Sequence, residues 1–179
     1  MSASGLRKDA RVLAQGRYLT LVDDAGWEFV TRHGVTGIVV LVAVTAAREL
    51  VLVEQHRPAV GTRVIELPAG LVGDLEGREA ESLVAAAHRE LVEETGFEAR
   101  EMIELAVGPV AVGVSDEVVT FFEARALRRV GAGGGDDSED ITVHVVPLDT
   151  LQAFLAEKRA AGLHVDPKIY AGLFLLGAR

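Results

Sequence analysis

The chain has 179 residues, of which 49% are hydrophobic, and a formal net charge of −9, so it is long enough for one domain with an ample core. This acidity argues against a nucleic-acid surface, which is normally basic, and the absence of cysteine excludes disulfides, thiolate nucleophiles and cysteine-type zinc sites. The N-terminus carries no apolar stretch of signal-peptide length, and the longest apolar run, 38–44, has only the length of a strand, so we expect a soluble, cytoplasmic protein that binds no membrane.

The sequence predicts a chain that starts with β-structure and ends with helices. Residues 18–22 and 27–32 predict a hairpin around the turn Asp23-Asp24-Ala25-Gly26. Two β-branched runs then predict central strands at 37–44 and 50–54. Further strands are predicted at 99–107, 117–126 and 141–147, and final helices at 148–161 and 167–176. Mixed strands with helices on both faces indicate an α/β fold, an α/β/α sandwich with a mixed β-sheet.

The most informative segment is a predicted helix with three glutamates, Glu90, Glu93 and Glu94, directly after Arg89. Residues three and four apart are neighbours on a helix, so these carboxylates are expected to share one face. Acidic clusters on helices usually mark a solvated face. Here, however, the crowded charges also suit a hard divalent cation such as Mg2+, which prefers oxygen ligands.

The glutamates stand in a segment with the pattern of a bounded amphipathic helix, and this surrounding pattern favours the metal interpretation. The predicted helix begins near Glu81, ends at Gly96, and carries a predicted apolar stripe. The stripe consists of Leu83, Val84, Ala87, Leu91 and Val92.

Two motifs carry a resemblance to a known family. The first is a glutamate, then seven residues, then Arg-Glu-apolar-any-Glu-Glu-any-Gly-apolar, at Glu81, Arg89, Glu90, Glu93, Glu94, Gly96 and Phe97. It resembles the Nudix box. The run Glu66-Leu67-Pro68-Ala69-Gly70 resembles the Glu-x-Pro-Ala-Gly of the ADP-ribose pyrophosphatase branch. The loop between Gly70 and Glu81 is longer than in the family, which leaves the role of Glu76 open.

The resemblance to Nudix hydrolases implies an α/β/α sandwich, expected here in residues 37–179. Residues 1–36 would form an N-terminal hairpin region that contributes to a dimer or to substrate binding. The implied cofactor is Mg2+, with Mn2+ as a substitute. The implied metal ligands are the Ala69 carbonyl, Glu90, Glu94 and Glu139.

The resemblance also implies catalytic roles for Arg89, Glu93, Glu94, Glu139 and Asp137. Arg89 would anchor a glutamate, and Glu93 would share a metal or brace its surroundings. A loop acid, first Glu139 and second Asp137, would act as metal ligand or general base. This acidic loop follows the glycine run 131–135, which by itself is typical of a mobile surface loop.

Four residues are predicted to bind substrate: Trp27, Arg32, Arg57 and Glu117. Arg57 stands in Gln55-His56-Arg57-Pro58, similar to a phosphate- or ribose-binding segment of this branch, and arginine suits that task through its fixed fork of donors. Trp27 would either stack on adenine or pack in the core. Arg32 and Arg63 could equally be surface charges, and Glu117 either orients metal-bound waters or simply begins a strand.

The implied activity is Mg2+-dependent hydrolysis of the diphosphate bond of ADP-ribose or a related nucleoside diphosphate sugar by a homodimer. The products would be a nucleoside monophosphate and a sugar phosphate. The alternatives are a Nudix pyrophosphatase for NADH or GDP-mannose, and a non-catalytic ADP-ribose- or nucleotide-binding regulatory module. The isopentenyl diphosphate isomerases of the superfamily are disfavoured, because they rely on a catalytic cysteine that this chain lacks.

Overall fold

The computed structural model describes residues 10–74, 77, 79–135 and 139–177. These residues form thirteen strands and three helices. The strands are β1 Arg11–Gln15, β2 Leu19–Asp24, β3 Trp27–Arg32, β4 Gly37–Ala43, β5 Glu49–Arg57, β6 Thr62–Glu66, β7 Ala69–Val72, β8 Phe97–Glu98, β9 Glu101–Pro109, β10 Val118–Arg125, β11 Arg128–Arg129, β12 Ile141–Pro147 and β13 His164–Val165. The helices are α1 Leu83–Thr95, α2 Leu151–Ala160 and α3 Lys168–Gly177. Within the described ranges, no helix has both the length and the apolar character of a membrane span.

The first three strands form a separate antiparallel sheet. Strands β2 and β3 make the predicted hairpin, with Asp24 opposite Trp27. Ala25 and Gly26 have φ values of 56° and 87°, as a type I′ turn requires. Strand β1 pairs with β2 and has no counterpart in the sequence prediction, because all its residues are exposed and it shows no buried face.

Two mixed four-stranded sheets form the centre of the fold, in the orders β7-β4-β10-β9 and β12-β5-β6-β13. Strands β4 and β10 are parallel, as are β6 and β13, and the other neighbours are antiparallel. The predicted central strands correspond to β4 and β5, and both are internal. Strands β6 and β7 are not predicted, since Pro68 separates two short segments that show no clear alternation. Strands β8 and β11 form a small separate ribbon.

Strand β4 separates two hydrophobic cores because its side chains alternate between the two faces of the sheet. Val39 and Leu41 pack in the cluster that contains Leu91 of α1. Val40 and Val42 pack in the cluster that contains residues of α2 and α3. Helices therefore cover both sides, which confirms the expected α/β fold with mixed sheets.

Helix α1 is bounded by two capping residues. The Ser82 hydroxyl accepts a hydrogen bond from the Ala85 N–H at 3.2 Å, and Gly96 ends the helix with a φ of 71°. Glu81 therefore lies just before the helix and not inside it. The predicted apolar stripe is wrong at its edges, because Val84 and Val92 are exposed.

The buried face of α1 includes one carboxylate. Ala86, Ala87 and Leu91 are buried, and so is Glu94. Glu93 is exposed. The glutamates of the helix consequently do not share one environment, and this difference decides which of them reach the functional site.

Candidate active site

A cleft of about 390 Å³ lies beside the N-terminal end of β7 and the C-terminal half of α1. It gathers most of the residues that the sequence nominates. The predicted residues that line it are Arg32, Arg57, Ala69, Glu90, Glu94, Glu117 and Glu139. Trp27, Arg89 and Glu93 do not line it, and Asp137 and Glu76 lie outside the described residues.

Glu94 is the most deeply buried acid of the cleft, with 2% of its surface exposed. Its Oε2 accepts a hydrogen bond from the backbone N–H of Ala69 at 3.0 Å. Burial raises the pKa of Glu94 well above its usual range, and the nearby charges of Glu90 and Glu139 act in the same direction. The cleft therefore holds a carboxylate in surroundings that disfavour its charge.

The carboxylate of Glu90 lies directly against the backbone of Gly70. A Cβ atom at position 70 would meet Glu90 Cδ at 1.9 Å and Oε1 at 2.0 Å, so only glycine leaves room for this carboxylate. Burial raises the pKa of Glu90 to about 7, against the lowering effect of Arg89. The charges of Glu93 and Glu139 add to this increase.

Arg89 organises the carboxylates behind the cleft. Its guanidinium, 9% exposed, pairs with Glu81 at 2.9 Å, Glu90 at 2.7 Å and Glu93 at 3.1 Å. It also donates to the Leu71 carbonyl at 3.1 Å. These bonds raise the pKa of Arg89, that with Glu81 most strongly. Arg89 thus has the anchoring contacts expected of it, and its pair with Glu81 supports the alignment of the box on Glu81.

Glu93 differs from the other two glutamates of the helix. Its side chain is 47% exposed and bonds to Arg89, and it does not line the cleft. Glu93 lies on the side of Glu90 away from Glu94, because the helix turns about 100° per residue, and both Glu90 and Glu93 pair with Arg89. The expectation that Glu93 shares a metal or braces its surroundings stays a prediction.

The glycine run is fixed on the end of α1 and is not a free loop. The Gly134 N–H donates to the Glu94 carbonyl at 2.8 Å, and the Gly135 N–H donates to the Glu93 carbonyl at 3.0 Å. These bonds satisfy carbonyls that the end of a helix leaves unpaired. Gly134 and Gly135 have φ values of 115° and 80°, which favour glycine. These residues therefore contact the end of α1, and Glu139 lines the cleft.

Two arginines also line the cleft, and each is paired with an acid. Arg57 Nε donates to Glu66 Oε2 at 2.8 Å, and Arg32 Nε donates to Glu117 Oε1 at 2.8 Å. Arg32 reaches this position because the Val30 N–H of β3 bonds to the Val114 carbonyl at 2.8 Å. Arg32 is therefore part of the cleft wall and not an isolated surface charge.

Three charged residues of the cleft are missing from the predicted site residues: Glu66, Asp74 and Lys168. Glu66 had a signal, since it opens the Glu-x-Pro-Ala-Gly run, and burial raises its pKa. Lys168 begins α3 and pairs with Asp166. Nothing in its local sequence distinguishes it from a surface lysine, because its place in the cleft depends on how α3 packs.

Trp27 is 62% exposed at the end of the N-terminal hairpin. This exposure excludes core packing, which was one of the two interpretations of the residue. Because Trp27 does not line the cleft of its own chain, stacking on adenine stays a prediction.

The donor set of the cleft is of the type that a hard divalent cation prefers. Glu90, Glu94 and Glu139 bring carboxylate oxygens, and repulsion among them contributes to two raised pKa values that a cation would lower again. In the part of the chain that the structure describes, no group of three or more acidic or histidine side chains forms a complete metal site. The residues fit a metal that also takes ligands from backbone, water or substrate.

Comparisons with known proteins identify the family of this chain. The model of the NUDIX domain family matches residues 35–166. The chain is 31% identical over 131 residues to a methanol dehydrogenase activator from Bacillus methanolicus, covering 73% of this chain and 67% of the relative. It is 33% identical to an ADP-sugar pyrophosphatase from Mus musculus, covering 89% and 82%.

An ADP-ribose pyrophosphatase from Mycobacterium tuberculosis is 39% identical, but the match covers 69% of this chain and only 59% of that protein. A crystal structure of an ADP compounds hydrolase superposes with a TM-score of 0.70 at 21% identity, covering 96% of this chain and 91% of the other. At that identity the likeness supports the fold alone. The family match over residues 35–166 and the identity to the relatives show that this chain belongs to the NUDIX domain family.

Proposed function

We propose that this Nudix pyrophosphohydrolase uses Mg2+ to hydrolyse the diphosphate bond of ADP-ribose or a related nucleoside diphosphate sugar. The observation that carries the proposal is one cleft that combines Glu90, Glu94 and Glu139 with Arg57 and Arg32. The first group suits a metal, and the second suits phosphate oxygens. The pyrophosphatase names of the Mycobacterium and mouse relatives support this class of substrate.

Nudix hydrolases generally use a divalent metal. In this chain the metal would be held by Glu90, Glu94, Glu139 and the Ala69 carbonyl. It would neutralise diphosphate oxygens and lower the pKa of water. The side chains of the cleft then have separate proposed tasks.

Arg57 would bind a phosphate oxygen through its forked donors, and Arg32 would hold the far end of the substrate. Arg89 keeps the Glu90 carboxylate in place, while Glu93 braces Arg89. The pairs of Arg89 with Glu90 and Glu93 support the last two of these tasks.

Glu139 is the proposed general base, with Asp137 as the second candidate. A carboxylate oxygen of Glu139 would accept a proton from the attacking water. The water oxygen bonds to phosphorus as the bridging P–O bond breaks, and the bridging oxygen leaves with the other phosphate. The reaction yields a nucleoside monophosphate and a sugar phosphate.

The experiment that tests the proposal is a substrate panel with an alkaline phosphatase in excess. ADP-ribose, ADP-glucose, GDP-mannose and NADH resist the phosphatase until their diphosphate is cleaved, and the products then release phosphate. Each substrate is measured with and without Mg2+, and Glu94→Gln is the matched control. We expect Mg2+-dependent release led by ADP-ribose.

Other outcomes would change the proposal in different ways. Turnover led by GDP-mannose or NADH would keep the chemistry and replace the substrate. Binding of ADP-ribose without any turnover would favour the non-catalytic regulatory module. The name of the Bacillus methanolicus relative, an activator, is the reason to test this class.

Four further statements remain proposals of the same kind. These are the homodimer, the contribution of residues 1–36 to it or to substrate binding, the Nudix domain at 37–179, and the cytoplasmic location. Sedimentation of the purified chain tests the first of them directly.

A further inference from the structure

We infer that Arg63 is a positioning residue for Glu139, which it places in the cleft by holding the start of β12. The inference rests on the proposed function, because Glu139 is the proposed base. Arg63 does not line the cleft, so it would act through the chain that it binds and not on the substrate.

The guanidinium of Arg63 bonds to two neighbouring strands at once. Its Nε donates to Glu54 Oε1 of β5 at 2.8 Å. Its Nη1 donates to Asp140 Oδ2 at 2.6 Å, and its Nη2 reaches the Asp140 carbonyl at 3.2 Å and Thr142 Oγ1 at 3.4 Å. Arg63 itself belongs to β6, so a single side chain ties together β5, β6 and the residues that open β12.

Glu54, which binds Arg63, is itself held by two further residues. Its carboxylate, 12% exposed, also accepts from Lys158 Nζ of α2 at 2.8 Å and contacts His144 Nε2 of β12 at 2.9 Å. Although burial opposes it, hydrogen bonds from these three partners lower the pKa of Glu54 to about 2. Glu54 is therefore ionised at neutral pH, and it pairs with Arg63 at 2.8 Å.

Glu139 stands between two points of attachment along the chain. Upstream, the Gly134 and Gly135 N–H groups bond to carbonyls at the end of α1. Downstream, Ile141 pairs with Gln55 to begin the β12–β5 ladder, and Asp140 is held by Arg63. The upstream bonds of Gly134 and Gly135 join backbone groups. The downstream attachment involves the Arg63 side chain, so a substitution can weaken it.

Lysine cannot replace arginine in this position. The rigid guanidinium fork reaches Glu54, Asp140 and Thr142 together, while an ammonium group is a point charge on a flexible stem. Arg63→Lys thus keeps the charge but loses the geometry. We expect Asp140 to lose its fixed position and Glu139 to be misplaced relative to the substrate.

The test compares Arg63→Lys with wild type on the best substrate of the panel at saturating Mg2+. We expect kcat to fall about tenfold, the lower end of what loss of an orienting partner costs, while KM changes little. In a Glu139→Gln background the same Arg63→Lys change should have no further effect, because the group that Arg63 positions is already disabled. Arg128→Lys, which alters an exposed pair with Glu98, is the matched control and should leave kcat unchanged.

Hydrogen exchange gives a readout that does not depend on activity. Backbone amides of residues 140–142 should exchange faster in Arg63→Lys than in wild type, while those of α1 stay protected. Wild-type kcat in the variant, an equal loss in the Glu139→Gln background, or unchanged exchange at 140–142 would each overturn the inference. An inactive wild type would instead refute the proposed function, and the exchange measurement would still decide whether Arg63 holds this segment.

Discussion

The buried carboxylate of Glu94 accepts a hydrogen bond from the backbone N–H of Ala69, at 3.0 Å. This bond joins the last turn of α1 to the first residue of β7, the strand whose opening carbonyl is the proposed backbone ligand. Because Glu94 is 2% exposed, water cannot stabilise its charge. The fold therefore places a carboxylate where it costs stability, which is a common property of catalytic sites.

Replacement of Glu94 by glutamine should separate its chemical role from its structural one. The amide oxygen of Glu94→Gln can still accept the Ala69 hydrogen bond, but the negative charge is lost. We expect kcat to fall on the order of 100-fold or more, while the melting temperature at pH 8 stays the same or increases. Steady-state kinetics and a thermal melt measure the two effects, and near-wild-type turnover would contradict the assignment of Glu94.

The acids of the cleft predict how pH affects the stability of the metal-free protein. The pKa of Glu90 is raised to about 7 and that of Glu94 is raised as well, so the folded state prefers their protonated forms. This contribution to stability is complete below the unfolded pKa, near 4.5, and is lost as pH rises through about 7 for Glu90. Thermal melts in a chelator should therefore show lower stability at pH 8 than at pH 6, other groups aside.

Metal should reverse that trend, since it binds the ionised carboxylates. Added Mg2+ should raise the melting temperature more at pH 8 than at pH 6, because fewer protons then compete for the ligands. Glu94→Gln is the control and should reduce the metal-induced shift. An equal shift at both pH values would argue against Glu90 and Glu94 as ligands.

Gly70 should be essential for activity although it is not a reactive group. In Gly70→Ala the new Cβ would overlap the Glu90 carboxylate, whose Oε1 lies 2.0 Å from its position. The carboxylate is the far end of a flexible chain and can move, so we expect the fold to survive and kcat to fall. Gly108→Ala, with no atom within 4 Å of its new Cβ, is the matched control. Equal activities of the two variants would show that the position of Glu90 does not matter.

The parts of the site that the sequence predicted are those set by local spacing. Arg89, Glu90 and Glu94 belong to one helix, and helical geometry alone brings Glu90 and Glu94 to the same side. Strands β4 and β5 were predictable because uninterrupted β-branched runs indicate burial on both faces. In these cases the residues on which the prediction rests all lie in one short segment of the sequence.

The parts that the sequence could not predict depend on packing between distant segments. Lys168 reaches the cleft only through the docking of α3, and Arg63 bonds to Asp140, 77 residues away. The exposure of Glu93 depends on which face of α1 the sheet covers. The glycine run at 131–135 has the composition of a mobile loop, yet its N–H groups complete the end of α1.

Acid stability should depend on Glu54, which does not line the cleft. Its folded pKa of about 2 lies below the usual 4.5, so its contribution is present above pH 4.5 and is lost as pH falls toward 2. Glu54→Gln should lower the stability at pH 7 and flatten the loss of stability between pH 5 and 2. Urea unfolding at several pH values measures this difference, and parallel pH curves for the two proteins would contradict the prediction.

Trp27 provides a direct test of the expected adenine contact, because it is the only tryptophan of the chain. It is 62% exposed, so Trp27→Ala should change the free energy of unfolding by no more than about 0.5 kcal/mol. If the indole stacks on adenine, KM for ADP-ribose should rise up to about tenfold with kcat unchanged, as expected for the loss of one aromatic contact.

The emission of Trp27 should also change when ADP-ribose binds. Binding is measured with Glu94→Gln so that the substrate is not consumed. Tyr18→Ala removes a similarly exposed aromatic side chain, 61% exposed, directly before β2, and serves as the control. Unchanged emission at saturating ADP-ribose, together with an unchanged KM in Trp27→Ala, would remove Trp27 from the substrate site. The N-terminal hairpin would then contribute Arg32 alone to the proposed substrate contacts.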